Sequence, residues 1–170
     1  MRSAKVCIIG DFAVGKTSTV ARFVKNEFSE KYLTTVGVKI DTKALETDAG
    51  HVKLIIWDVA GTDRLSDIEF AYLRGSAGVI LVADGTRAAT VESALRLKAD
   101  INAQYGDLPF VAMLNKSDLS NEWEIDQDTL AASRSAGVDW IRCSAKSGEG
   151  VAAAIEALGK SILSAAAEST

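Results

Sequence analysis

A chain of 170 residues, 48% hydrophobic and 25% charged, can bury one substantial core and has the balance of an ordinary globular protein. The formal net charge is −4 and no dense Lys/Arg run occurs, so a nucleic-acid or acidic-membrane surface is not expected as the main role. No run of about 18 apolar residues exists, which excludes a membrane-spanning helix, and Cys7 and Cys143, both in apolar runs, read as buried reduced thiols.

In chain order, Val6-Cys7-Ile8-Ile9 reads as a buried strand, and a glycine-bounded loop then opens a helix with Val20, Phe23 and Val24 on one face. Two neighbouring strands follow, roughly Val36 to Leu45 and Val52 to Trp57, turned by Asp48-Ala49-Gly50. The runs Val79 to Val82 and Phe110 to Leu114 are continuously apolar, as parallel strands covered on both faces are. A helix between them is expected to start at a Thr90 cap, with Val91 and Leu95 inward. Trp140 to Cys143 reads as a last short strand, and Val151, Ile155, Leu158 and Ile162 as one face of a final helix. This alternation predicts an α/β fold: a three-layer, doubly wound sheet of about six mostly parallel strands with one antiparallel edge. A single domain is expected over residues 1–170, with ligands at the carboxyl ends of the strands.

Three motifs fall on that rim. Gly10-Asp11-Phe12-Ala13-Val14-Gly15-Lys16-Thr17 matches G-x-x-x-x-G-K-[ST] between a strand and a helix. Its backbone N–H groups can wrap a phosphate chain, with Lys16 reaching the β- and γ-phosphates and the Thr17 hydroxyl ligating Mg²⁺. That loop alone says only nucleoside triphosphate, and an ATPase or nucleotide kinase would carry it too. Asp58-Val59-Ala60-Gly61 places an acid at a strand end, able to hold Mg²⁺ through water, and a glycine that lets backbone approach a γ-phosphate. Asn115-Lys116-Ser117-Asp118 addresses the base, because a carboxylate can accept from guanine's adjacent ring N–H and amino donors. Adenine lacks that donor pair and would leave the carboxylate unpaired, at a cost of ~2–3 kcal/mol. Ser144-Ala145-Lys146 forms a further loop on the same rim.

In order and spacing these four segments resemble the Ras superfamily of small GTPases. Phe28 to Lys39, Trp57 to Gly61 and Tyr72-Leu73-Arg74-Gly75 look most like Rab-type members. The resemblance implies a GTP/GDP site formed by Ala13, Val14, Gly15, Lys16, Thr17, Ser18, Phe28, Thr35, Gly61, Asn115, Lys116, Asp118, Ser144, Ala145 and Lys146. Within it Asp118 reads the guanine, Asn115 ties the base loop to the phosphate loop, and Lys116 lies along the ring. Ala145 presents its N–H to the guanine oxygen, and Phe28 packs against the base. Mg²⁺ is expected on Thr17, Thr35 and, through water, Asp58, while Lys16, Thr35, Gly61 and Thr62 surround the chemistry. Switch I (about 29–39) and switch II (about 61–74) would meet effectors, an exchange factor and an activating protein.

Two residues depart from that pattern. Thr62 stands where a glutamine usually orients the attacking water, and its short β-branched side chain is not expected to reach that water. Phe12 stands where many members have a small residue, so its ring either fills the space beside the γ-phosphate or swings into solvent. The function expected is a guanine-nucleotide switch hydrolysing GTP slowly; the alternative is a GTP-locked adaptor, with a phosphotransferase a distant third. The last residues, Ala165 to Thr170, hold no cysteine and no polybasic stretch, so no direct lipid anchor and a cytoplasmic location are expected. His51, Trp123 and Trp140 have no motif around them: His51 reads as solvent-facing and the tryptophans as packing residues.

Overall fold

The computed structural model of the protein describes residues 1–29, 35 and 37–169. Six strands form one sheet: β1 (Arg2–Gly10), β2 (Val38–Thr47), β3 (Gly50–Val59), β4 (Gly78–Asp84), β5 (Phe110–Asn115) and β6 (Trp140–Arg142). Their order is β2-β3-β1-β4-β5-β6, and every pairing is parallel except the β2–β3 hairpin at the edge. That hairpin turns through Asp48-Ala49, with Thr47 paired to Gly50, whose φ of 130° favours glycine. The first residue of the expected second strand, Val36, lies outside the described residues.

The apolar runs are continuous because alternate side chains enter two separate cores. From β1, Val6 and Ile8 join Ile80 and Val82 of β4 on one face, under α1 (Lys16–Lys25) and α5 (Val151–Glu168). Cys7 and Ile9 join Val79, Leu81 and Ala83 on the other, under α2 (Asp67–Tyr72), α3 (Ala88–Tyr105) and α4 (Gln127–Ser135). The layers are helix, sheet, helix. Val151, Ile155, Leu158 and Ile162 of α5 are all buried, as their spacing required. Both cysteines are buried and free. Among the described residues no helix is long and apolar enough to cross a membrane.

The start of α3 differs from expectation. The helix begins at Ala88, with Arg87 as its cap residue, and Thr90 lies inside the first turn. Thr90 Oγ1 accepts from the Asp84 N–H at 2.8 Å and donates to the Arg87 carbonyl at 2.8 Å, so its hydroxyl fastens the end of β4 rather than capping. The exposed Ala88 N–H is instead taken by Glu124 Oε1 at 2.9 Å, a partner far along the chain.

With this strand order, α1 follows β1 toward the β2–β3 edge while the next crossover returns to β4 on β1's other side. The chain therefore reverses direction across the sheet beside β1, and a crevice opens at the carboxyl ends of the strands.

Candidate functional site

A cavity of ≈ 460 Å³ lies in that crevice. Its wall combines phosphate-loop residues Ala13, Gly15, Lys16, Thr17 and Ser18 with Phe28, Thr35, Gly61, Asn115, Lys116, Asp118, Ala145 and Lys146. Phe12, Ser29 and Leu119 complete it. Four expected site residues are not in the wall: Val14 is core, Ser144 and Asp58 are buried behind it, and Thr62 lies beyond it.

The loop from Gly10 to Thr17 is shaped by close approaches. A Cβ on Gly10 would meet the Val82 carbonyl at 2.4 Å, and one on Gly15 (φ 99°) would meet Asn115 Nδ2 at 2.3 Å. Lys16, only 6% exposed, points its ammonium at the Asp11 carbonyl at 3.0 Å. Burial lowers its pKa to about 8, against the opposing pull of Asp58 and Asp11. A cation with so little water around it is primed to accept an anionic group.

Below Lys16, Thr17 Oγ1 donates to Asp58 Oδ2 at 2.7 Å and lies 2.6 Å from the Thr35 hydroxyl. Asp58 Oδ1 is buried without a hydrogen-bond partner, and burial pushes the carboxyl's pKa up despite the Thr17 bond and the Lys16 charge. Two hydroxyls and a carboxylate with an orphaned oxygen are hard donors of the kind Mg²⁺ takes. Among the described residues no group of three His, Cys, Asp or Glu side chains could hold a metal, so water and an anionic ligand would complete such a shell.

Gly61 has no room for a side chain: a Cβ would come within 2.9 Å of Phe12 Cα and 3.1 Å of Lys16 Nζ. The next residue, Thr62, donates its N–H to the Gly10 carbonyl at 3.0 Å. Its hydroxyl donates to the Arg64 carbonyl at 2.5 Å and accepts from the Arg64 N–H at 3.1 Å, closing a local turn. The segments around Thr35 and Gly61 are joined by Ala60 N–H to Gly37 O at 2.9 Å. Phe12 is 56% exposed, its ring turned to solvent at the rim.

On the base side, Asn115 Nδ2 donates to the Val14 carbonyl at 3.0 Å, the bridge to the phosphate loop that the sequence suggested. Asn115 Oδ1 accepts the Ala145 N–H at 3.0 Å, so a ligand oxygen would share that donor. Ser144 Oγ donates to Asp118 Oδ1 at 2.7 Å and accepts from Ser147 N–H at 3.0 Å, which fixes the plane of the carboxylate.

A model of the Ras family matches residues 5–164. The chain belongs to the Ras family. Among its relatives, Ras-related protein Rab11D of Lotus japonicus is 46% identical over 117 residues, 68% of this chain and 53% of that protein. Ras-related protein YPTC6 of Chlamydomonas reinhardtii is 38% identical over 130 residues, 75% and 60% respectively. Ras-related protein RABA5a of Arabidopsis thaliana is 35% identical over 161 residues, 93% and 72% respectively. The chain thus spans about half the length of Rab11D and more of the others. The Rab-type resemblance and the sheet with one antiparallel edge agree with this membership.

In this Ras-family chain several supporting residues carry no motif. Arg22 of α1 donates from Nε to the Ala145 carbonyl at 2.8 Å and from Nη2 to the Lys146 carbonyl at 2.6 Å, fixing the last loop from below. Trp123, expected only to pack, donates Nε1–H to the Lys116 carbonyl at 2.7 Å and stacks under Arg142, 4.4 Å from its ring. Gly85 permits this, since a Cβ there would come within 2.2 Å of the Trp123 ring. Gly85→Ala should therefore displace the indole and destabilise the fold by about 1–3 kcal/mol, read as a lower melting temperature in thermal unfolding. His51 is exposed on β3, with Nδ1 3.7 Å from Glu46, and Trp140 is in the core, as expected of both.

Proposed function

We propose that the protein binds GTP and GDP with Mg²⁺ and hydrolyses GTP slowly, serving as a nucleotide-dependent switch. The observation that carries this reading is that one cavity joins Lys16 and Thr17 at one end to Asn115 and Asp118 at the other. In the proposed complex, phosphate-loop N–H groups and Lys16 take the phosphate chain, and Asp118, oriented by Ser144, accepts from the guanine edge. Thr17, Thr35 and, through water, Asp58 would hold Mg²⁺, which would supply charge neutralisation for the phosphates. Water attacks the γ-phosphate while Lys16 and the Gly61 backbone stabilise developing charge. Loss of that phosphate would free Thr35 and Gly61, altering the segments offered to effectors, an exchange factor and an activating protein. The negative net charge gives no support to a nucleic-acid partner.

Slow turnover is supported by Thr62, whose hydroxyl is engaged by Arg64 in its own turn. Single-turnover hydrolysis of preloaded GTP should run below the Ras rate of ~3–5 × 10⁻⁴ s⁻¹. Thr62→Gln should raise it roughly tenfold by placing an amide near the attacking water. Wild-type turnover clearly above the Ras rate would refute this account of Thr62. The same spent hydroxyl favours a second reading, a GTP-locked adaptor, which is distinguished by no measurable turnover in either protein.

A further inference from the structure

Asp84 ends β4 with its carboxylate 1% exposed, and it gathers two cations. Burial raises its pKa, but hydrogen bonds from Lys116 and Thr86 outweigh burial and keep the carboxyl below its usual range. Lys116 Nζ lies 2.8 Å and Arg87 Nε 3.1 Å from the same oxygen, Oδ2. Both cations continue to the phosphate loop. Arg87 Nη2 donates to the Phe12 carbonyl at 2.5 Å, and Lys116 Nζ to the Ala13 carbonyl at 3.2 Å. Asn115 takes the next carbonyl, that of Val14.

Three successive carbonyls are thus held by donors from outside the loop. In a trans peptide the C=O and the following N–H point in opposite directions. Fixing the Phe12 carbonyl therefore fixes the aim of the Ala13 N–H, and likewise along the loop. Ala13 sits at φ 56°, a conformation that costs a residue with a Cβ and needs support from its surroundings.

We propose that Arg87, steered by Asp84, is a positioning residue of the phosphate cradle, holding the Phe12–Ala13 peptide so that its N–H faces the nucleotide's phosphate chain. The inference rests on the nucleotide-binding reading and deepens it. A planar guanidinium offers Nε to the carboxylate and Nη2 to the carbonyl at once, and a lysine ammonium on a flexible stem cannot reproduce that fork. Arg87 comes from the β4–α3 junction, outside every motif that identified the site.

The test compares affinities for GDP and GMP in Mg²⁺ for wild type, Arg87→Met and Arg87→Lys. Arg87 is 43% exposed on its side chain, so both variants should fold, and melting curves check this. Loss of one charge-assisted hydrogen bond should raise the Kd for GDP about tenfold in both variants, with GMP, lacking the β-phosphate, nearly unchanged. Unchanged GDP affinity in Arg87→Met overturns the inference and leaves the nucleotide reading intact. Equal weakening of both ligands, or full recovery with lysine, overturns it as well, the first showing general loosening and the second a simple charge effect. A wild-type protein that binds neither nucleotide refutes the functional reading, and the inference with it.

Discussion

Asp118→Asn should lower affinity for GDP by about a thousandfold and invert the preference between guanine and xanthine nucleotides. Guanine would present two adjacent donors, a ring N–H and an amino group, to the Asp118 carboxylate. The amide in the variant offers one acceptor and one donor, so one of the two contacts becomes donor against donor. Rotating it does not help. Ser144 Oγ already accepts from Ser147 N–H and directs its own proton at Asp118 Oδ1, so the NH₂ group meets a donor on either side. Xanthine carries a carbonyl where guanine carries the amino group, and its donor–acceptor pair matches the amide. Competition of GDP and xanthosine diphosphate against a fluorescent GDP reads both effects. Equal GDP affinity in wild type and variant would mean that Asp118 does not read the base.

Asp118 was legible in the sequence because it sits in a contiguous motif whose register after a strand is itself informative; Ser144 was placed at the site by resemblance, but its role in aiming Asp118 was not. The sheet was legible for a similar reason. Runs such as Val79 to Val82 are apolar at consecutive positions because their odd and even side chains enter different cores, the pattern of a strand covered on both faces. What stayed hidden depends on single side-chain contacts that no motif encodes. Arg22 reaches carbonyls of the Ala145 loop, Arg87 reaches back to Phe12, and Trp123 reaches Lys116, each a single side chain with no spacing rule. Thr90 does not cap α3 because cap preference describes an isolated helix end, whereas here β4 claims the hydroxyl. The position of the Phe12 ring could not follow from its identity, since both directions suit a phenyl group at a rim. Residues 30–34 and 36, most of the expected switch I, lie outside the described residues.

Asp58→Asn should separate stability from metal response, moving them in opposite directions. The Asp58 carboxylate is buried, with Thr17 donating to one oxygen and the other unpartnered. Burial raises its folded-state pKa above the unfolded value, so the ionised form destabilises the fold. That cost is absent below the ordinary carboxylate pKa of about 3.9, grows as pH rises through the elevated folded value, and is complete above it. A neutral amide at this position is cheaper to bury than an unpaired charge. The variant should therefore be more stable than wild type by about 1–2 kcal/mol at neutral pH, a rise of a few degrees in melting temperature. The gap should close toward pH 4. With Mg²⁺·GDP added the order should reverse, because the carboxylate would then face the cation's charge through water. Release of GDP from the variant should be about a hundredfold faster than from wild type, and addition of a chelator, which should speed release from wild type, should leave the variant unchanged. A lower melting temperature for the metal-free variant would make Asp58 a structural acceptor for Thr17. Undiminished chelator sensitivity would place the cation elsewhere in the cavity. The expected pair of results would show that the buried Asp58 carboxylate costs the fold stability and serves the ion.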